Sequence, residues 1–218
     1  MERTITVRGT GKASVKPDLI RVSLTLRMKD KVYAEAMTRS SKQQEALRAA
    51  LGTAGFEREA LKTGSFNVYP EYESVRDQKG MFRQEFTGYV CEHQMHLEFD
   101  FDTELLSRAL TAIAFCVADP ELNVSFTVKD REALSDALLA SAAKNARARA
   151  ELLAGASGVK LGQLLTIDYN WSEVSFYSPT NYRAKMNVAA CVDESVDMDI
   201  DPQNIDLSDS ATFVWEIE

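Results

Sequence analysis

The sequence has few of the residues that most often carry catalysis or cross-links. Its 218 residues include only two histidines, His93 and His96, and three cysteines, Cys91, Cys116 and Cys191. Three widely separated cysteines argue against a disulfide framework and favour reduced thiols. Both histidines fall on one predicted strand, so no Ser-His-Asp or Cys-His set can be recognised. We therefore predict no catalytic residues and no enzyme activity.

Positive charge and long apolar runs are also scarce. Lysine and arginine number 25 against 33 acids, a formal net charge of −8, which argues against a nucleic-acid partner. No apolar run reaches the length of a membrane-spanning helix, and the opening MERTITV lacks a hydrophobic signal region. We predict a cytoplasmic protein without a cofactor, or a periplasmic or extracellular one if a signal peptide was removed.

A glycine-rich stretch near the start, VRGTGKASVKPD, invites comparison with a phosphate-binding loop. Such a loop has the pattern G-x-x-x-x-G-K-[ST] and is followed by a helix. Here Thr6 stands where the first glycine would be, and Ala13 replaces the hydroxyl residue that binds magnesium. The next residues alternate at period two, as in a strand. We therefore expect Gly9–Gly11 to form a turn between two strands.

The rest of the chain alternates strands and helices. VSLTL at 22–26 recurs as VSFTV at 124–128, and each is followed by a helical pattern. This predicts an α+β fold with a mixed, largely antiparallel sheet backed by helices, in two strand–helix–strand–strand units. We predict one domain over 1–218, with possible halves at 1–101 and 102–218. The first unit includes a long hairpin, with strands at about 61–72 and 86–101 and a charged tip between them.

The second long helix is predicted at about 131–154. Acids lie near its start and bases near its end, which complements the helix dipole. Its expected core-facing stripe comprises Leu134, Ala137, Leu138, Ser141, Asn145, Ala148 and Leu152.

An ordered set of segments resembles the SIMPL domain, a bacterial domain of unknown function. The opening ITVRGTGKASVKPDLIRVSLTL carries the strand, the G-x-G and the Pro-Asp pair of that family. TGSFNVYPEY, FTGYVCEHQMHLEF, ELLAGASGVKLGQLLTI and the closing IDPQNIDLSDSATFVWEIE continue the resemblance through Ile217. Members of the family usually carry a signal peptide and act outside the cytoplasm. The resemblance implies the fold, and it implies no reaction.

Two clusters have residue types that bind metals. In CEHQMH, Cys91 and His93 point to one face of a strand and His96 to the other, so the three cannot converge on one zinc ion without a bulge. Asp197, Asp199 and Asp201 lack the glycine and the glutamate of a calcium loop, and we interpret 197–201 as a solvated edge. We predict no metal site, with a weak calcium site at 197–201 left open.

The segment DYNWSEVSFYSPTNY, 168–182, has a high density of aromatic residues for a loop. Its rings either pack back on their own sheet or form a self-association surface, since Trp and Tyr are common interface anchors. Charged residues at the hairpin tip could reach a neighbour in the same way. The candidate interface residues are Trp171, Phe176, Tyr177, Tyr182, Arg76 and Arg83.

We predict a non-catalytic protein that acts as a homo-oligomer and binds an unknown protein partner, with a possible role in stress response. The alternative is a thiol- or metal-dependent stress enzyme that uses Cys91 and His93.

Overall fold

The computed structural model describes residues 3–76, 81–169, 174–185 and 200–218. Within these ranges the chain forms three α-helices, one 3-10 turn at Arg58–Ala60 and eight β-strands. None of the helices among the described residues combines the length and the apolar character that a bilayer crossing requires. Asp197 and Asp199 of the predicted acidic segment lie outside these ranges, as does Cys191.

The elements follow the predicted alternation of strands and helices, which confirms the α+β class. In chain order they are β1 (Thr4–Val15), β2 (Leu19–Asp30), α1 (Tyr33–Thr53), β3 (Leu61–Arg76), β4 (Phe82–Asp100), α2 (Thr103–Ala114), β5 (Glu121–Thr127), α3 (Arg131–Ala156), β6 (Leu161–Asp168), β7 (Tyr177–Lys185) and β8 (Ile205–Ile217).

The described strands form two sheets. One has three strands in the order β1-β8-β6, and the other has five in the order β3-β4-β2-β5-β7. The pairings of β1 with β8, β6 with β8, β2 with β4 and β3 with β4 are all antiparallel. These pairings confirm the largely antiparallel arrangement.

Contacts divide the chain into two units, each of which draws on both halves of the sequence. The first contains the three-stranded sheet and α3, and consists of Met1–Asp18, Thr127–Pro179 and Pro202–Glu218. The second contains α1, α2 and most of the five-stranded sheet, and consists of Leu19–Phe126 and Thr180–Asp201.

The glycine-rich stretch lies within β1, so the predicted Gly9–Gly11 turn is wrong. The strand continues to Val15 and pairs with β8 over its whole length. The glycines instead permit a close approach of α3. A Cβ atom on Gly9 would overlap the carbonyl oxygen of Ala142, and one on Gly11 would overlap that of Leu138. Glycine is required here by helix packing, which a single sequence does not reveal.

The face of α3 that packs on this sheet also differs from the predicted stripe. Its buried residues repeat every four positions and, apart from Leu138, are all alanines: Leu138, Ala142, Ala146, Ala150 and Ala154. Leu152, which we expected to be buried, is 72% exposed. Small side chains face the sheet because the helix lies so close to the glycines of β1, so the larger apolar residues did not mark the buried face.

In the second unit, α1 and α2 cover one face of the five-stranded sheet. Its core contains aliphatic side chains from alternate positions of β2, such as Val22 and Leu24, together with Leu47 of α1 and Leu110 of α2. The buried residues of β2 follow the predicted period of two. The predicted hairpin is present, but its strands extend further than expected, to Arg76 and from Phe82.

Candidate interaction surface

The hairpin of the second unit extends beyond its neighbouring strand. β2 pairs with β4 only from Tyr89 to Asp100, so the earlier residues of β4 pair with β3 alone among the described strands. We call this two-stranded extension the arm, and define it as residues Tyr72–Arg76 and Phe82–Phe86. An isolated two-stranded ribbon is at best marginally stable in water.

The base of the arm is held by ion pairs and by a bulge. Glu71 contacts Lys29 at 2.6 Å and Arg27 at 2.7 Å on β2. The hydrogen bond from Lys29, followed by the charges of both bases, lowers the pKa of Glu71. The register shifts between Glu71 and Tyr72, and the Thr87 hydroxyl donates to the Glu71 carbonyl at 3.0 Å. These contacts fix the point at which the arm leaves the sheet.

Gly88 allows the arm to leave the sheet at this point. Its φ is +146°, and a Cβ atom there would lie 2.8 Å from the carbonyl oxygen of Asp30. Both the backbone conformation and the close approach therefore favour glycine at this position.

The two faces of the arm differ in chemistry. Cross-strand partners point to the same side of a sheet, so Tyr72 and Phe86 share one face with Arg76 and Phe82. The Arg76 guanidinium lies 5.5 Å from the centre of the Phe82 ring, a cation–π contact. The opposite face carries Glu73 opposite Glu85 and Val75 opposite Arg83. One face therefore carries three aromatic rings with the polar Ser74–Gln84 pair between them, and we call it the aromatic face; the other face is mainly charged.

The aromatic face continues onto the body of the sheet as a row of four rings. Ring centres are 5.7 Å apart between Tyr72 and Phe86, 5.2 Å between Phe86 and Tyr89, and 5.6 Å between Tyr89 and Tyr33. All three pairs meet edge to face. We call Tyr33, Tyr89, Phe86 and Tyr72 the aromatic row.

The aromatic row lies at the edge of the part of the sheet that α1 covers. Tyr33 is the first residue of that helix, and it is 51% exposed. Further along the arm, Tyr72 is 54% exposed and Phe86 is 41% exposed. Exposed aromatic rings next to arginine have the composition of interface anchors. This arrangement suits contact with another protein surface.

The interface residues predicted from the sequence are only partly gathered at this surface. Arg76 and Arg83 belong to the arm, on opposite faces. Phe176 and Tyr182 are partly buried, and each packs against a core cluster of its own chain. Trp171 lies outside the described residues.

Tyr177 is 38% exposed and is held by a basic residue at the start of α3. The Arg131 guanidinium lies 5.2 Å from the centre of its ring. Among the described aromatic residues of the loop, packing against the protein's own core is thus the common arrangement. Their role in self-association stays a prediction.

Cys91 and His93 are both buried on the helix-covered face of β4. Cys91 is fully buried, and the Nε2 atom of His93 lies 3.0 Å from the Thr63 hydroxyl. Burial, followed by the charge of Arg48, lowers the pKa of His93. Within the described residues no three potential ligands come together as a metal site. Of the three acids Asp197, Asp199 and Asp201 only Asp201 is described, and it is exposed.

The aromatic row was missed by the sequence interpretation. Tyr72 and Phe86 were placed at the ends of the two predicted hairpin strands, next to a tip interpreted as polar. Phe82 and Phe86, which are four residues apart and so share one face of an extended strand, are the signal that indicates a longer ribbon.

Comparison with known proteins identifies the family to which the chain belongs. A family model described as a protein of unknown function (DUF541), named SIMPL, matches residues 5–215. The chain belongs to the SIMPL family.

Curated relatives of this SIMPL protein include the 26 kDa periplasmic immunogenic proteins of Brucella melitensis and Brucella abortus. Each is 28% identical over 167 residues, which cover 75% of this chain and 65% of the relative. The chain thus spans just under two thirds of the length of these relatives. Among solved structures, CutA from Synechococcus elongatus matches 59% of this chain and 95% of its own, with 21% identity and a TM-score of 0.22.

Proposed function

We propose that this SIMPL protein is a non-catalytic assembly protein, which forms homo-oligomers through the aromatic face of its arm and presents that assembly to a protein partner. The observation that carries the proposal is the aromatic row, which continues the helix-covered face of the sheet beyond the start of α1. Burial of these rings by a second copy would remove apolar surface from water at about 25 cal/mol per Å².

The chemistry of the second unit supports a binding role over a catalytic one. The side chains of Cys91 and His93 lie on the helix-covered face of β4, where Cys91 is fully buried and His93 is 5% exposed. Arg76 lies beside Phe82 on the aromatic face of the arm, and the opposite face carries Glu73, Glu85 and Arg83, so polar and charged groups border the rings as at the rim of an interface. A rim of this kind favours specific pairing and limits non-specific aggregation.

The test is the molar mass of the purified protein at tens of micromolar concentration, measured by light scattering and sedimentation. We expect the wild-type protein to exceed the mass of one chain. The double variant Tyr72→Ser/Phe86→Ser should lower that mass, because it removes two of the exposed rings. Its circular dichroism spectrum should be unchanged, since neither ring belongs to the main core cluster.

The matched control is Phe115→Ser, which removes a ring that is 67% exposed after α2, away from the arm. This variant should assemble as the wild-type protein does. A wild-type protein that is strictly monomeric would refute assembly. If the double variant keeps the assembled mass of the wild-type protein, the arm is not part of the interface.

We also propose that the protein acts in the periplasm, as the name of the Brucella relatives says of those proteins. Fractionation of the native host, with antibodies against this chain, tests the location. Recovery with cytoplasmic markers would contradict it.

A further inference from the structure

The edge of β4 that faces away from β3 has no neighbouring strand along the arm. On that side, β2 accompanies β4 only as far as the pairing of Asp30 with Tyr89. From Phe82 to Phe86, β4 therefore pairs with β3 alone among the described strands. A strand edge of this kind presents unpaired backbone N–H and C=O groups, and it can accept a further strand.

This edge lacks three features that commonly prevent strand addition, which are proline, lysine and a bulge. Residues 82–86 read FRQEF and contain neither proline nor lysine. Their pairing with β3 runs from Tyr72 to Arg76 without a register shift. The other edge of the hairpin, along β3, is interrupted at the base of the arm by Pro70, which has no N–H to donate. The β4 edge is thus the better suited to accept a strand.

The segment FRQEF is complementary to itself in antiparallel pairing. Pairing about a two-fold axis at Gln84 places Phe82 of each copy opposite Phe86 of the other. It also places Arg83 opposite Glu85. Directly opposite residues point to the same side of a sheet, so the rings meet on the aromatic face and the ions meet on the charged face. Aromatic pairs and pairs of opposite charge are both favourable across strands.

The neighbouring symmetric registers are unfavourable. An axis at Arg83 would place this residue opposite its own copy, and an axis at Glu85 would do the same for the carboxylates. Like charges directly opposite each other destabilise a strand pair. Pairing through the β3 edge about Ser74 would place Glu73 opposite Val75, which makes no ion pair. Charge therefore favours the β4 edge and the register centred on Gln84.

The arm by itself leaves Glu85 in an unfavourable position. Within the chain this residue pairs with Glu73 across the two strands of the arm, which places two acids directly opposite each other. The Arg83 side chain of the same strand is 4.0 Å from the Glu85 carboxylate. A second copy would place another Arg83 on the free side of Glu85, directly opposite it. This charge complementarity identifies a second copy as the strand that the edge accepts.

We infer that two copies join edge to edge through β4 of their arms, centred on Gln84, into a four-stranded antiparallel sheet of order β3-β4-β4-β3. This rests on the proposed assembly through the arm, and it specifies the register of that assembly. The aromatic faces of both arms then lie on one side of the joined sheet, with Phe82 of each copy against Phe86 of the other. Two-fold symmetry makes each contact twice, as an isologous interface requires.

The first test is charge reversal with mixing, with dissociation followed by sedimentation equilibrium. Arg83→Glu and Glu85→Arg should each raise the dissociation constant at least about tenfold, because each places like charges together at two symmetric contacts. An equimolar mixture of the two variants should recover about the wild-type constant, since one chain then has two acids and the other has two bases at the contacts. An effect within one chain would not be relieved by mixing.

The second test is a disulfide across the two-fold axis. Opposite Cα atoms of an antiparallel pair are about 4.5–5.5 Å apart, within the range of a disulfide. Gln84→Cys should therefore form a covalent dimer rapidly in mild oxidant. The matched control is Ser74→Cys, on the same face of the arm and also exposed. In the joined sheet this residue lies about three strand spacings, roughly 14 Å, from its own copy, so it should not cross-link.

The arm variant Tyr72→Ser/Phe86→Ser separates this inference from the proposed function. If that variant loses mass, but mixing restores nothing and Gln84→Cys cross-links no faster than Ser74→Cys, assembly through the arm stands and the edge pairing is refuted. Restoration by mixing together with selective cross-linking at position 84 supports the edge pairing. A wild-type protein that is strictly monomeric refutes both.

Discussion

Gly9 of β1 lies directly against Ala142 of α3. A Cβ atom at Gly9 would overlap the Ala142 carbonyl oxygen and lie 2.7 Å from the Cβ of Ala146. The helix therefore packs on the backbone of the strand, with no side chain between them.

Gly9→Ala should destabilise the protein. The methyl group cannot be accommodated unless α3 moves away from β1, and overpacking of this kind typically costs about 1–3 kcal/mol. Urea unfolding followed by circular dichroism measures the change. The control is Gly155→Ala in the last turns of the same helix, where a Cβ meets no atom within 4 Å. This control should be neutral or stabilising by up to about 1 kcal/mol, and equal stability of both variants would contradict the packing argument.

Tyr169→Phe should also lower stability, by removing a hydrogen bond to a buried acid. The Tyr169 hydroxyl donates to the Asp209 carboxylate at 3.0 Å, and Asp209 is only 3% exposed. Desolvation, followed by the bond to Asp209, raises the pKa of Tyr169 above its usual 10.0. A raised pKa in the folded state contributes stability that is fully present below pH 10 and is lost as pH rises through the folded-state value. The difference between wild type and variant in urea midpoint should therefore narrow above pH 10. If the difference in urea midpoint between wild type and variant stays constant above pH 10, ionisation of the Tyr169 phenol does not affect folding stability.

His93 should make folding stability depend on pH in the acidic range. Burial and Arg48 lower its pKa in the folded protein below the usual 6.5. A lowered pKa of a base gives stability that is present above pH 6.5 and is lost as pH falls through the folded-state value, because the unfolded chain binds the proton more readily. Between pH 7.5 and 5, His93→Gln should lose less of its stability than the wild-type protein does. Identical pH profiles for the two proteins would show that His93 does not contribute.

Cys91 should react with alkylating reagents only when the protein unfolds. Its thiol is fully buried on the face of β4 beneath α1. Peptide mapping after native alkylation should find Cys91 unmodified, and the same reagent in denaturant should label it completely. Cys116, which is also buried, provides the internal comparison. Rapid native labelling of Cys91 alone would favour the thiol-dependent enzyme over an assembly role.

The α+β class and the order of elements follow from local patterns. Alternation in β2 predicts its two faces, and Val22 and Leu24 are buried as that alternation requires. Strand periodicity is a local property, because neighbouring side chains point to opposite sides whatever the rest of the chain does. The family segments likewise lie in order along the chain, and the family membership that they suggested is confirmed.

The wrong predictions concern packing contacts between residues that are far apart in the sequence. Gly9 was interpreted as a turn residue because glycine commonly marks turns, whereas its partner Ala142 lies far along the chain. The stripe containing Leu152 was chosen for its apolar residues, whereas the packed face of α3 consists mostly of alanines. The sequence carries no local sign that a helix and a strand approach so closely.

The candidate interaction surface also depends on contacts between residues that are far apart in the sequence. Arg76 and Arg83 were placed in the charged tip of the hairpin, whereas both belong to the strands of the arm. The aromatic row could not be foreseen, since it joins Tyr33 of α1 to Tyr72 of β3 through two rings of β4.

The amino-acid order alone determined which segments become strands or helices, because backbone preference and side-chain alternation act over a few residues. Tertiary structure alone decided which apolar residues are covered, because coverage depends on the registers of distant strands and on where α1 and α3 end. That is why Leu152, Ile167 and Tyr72 remain exposed although their local patterns do not distinguish them from core residues.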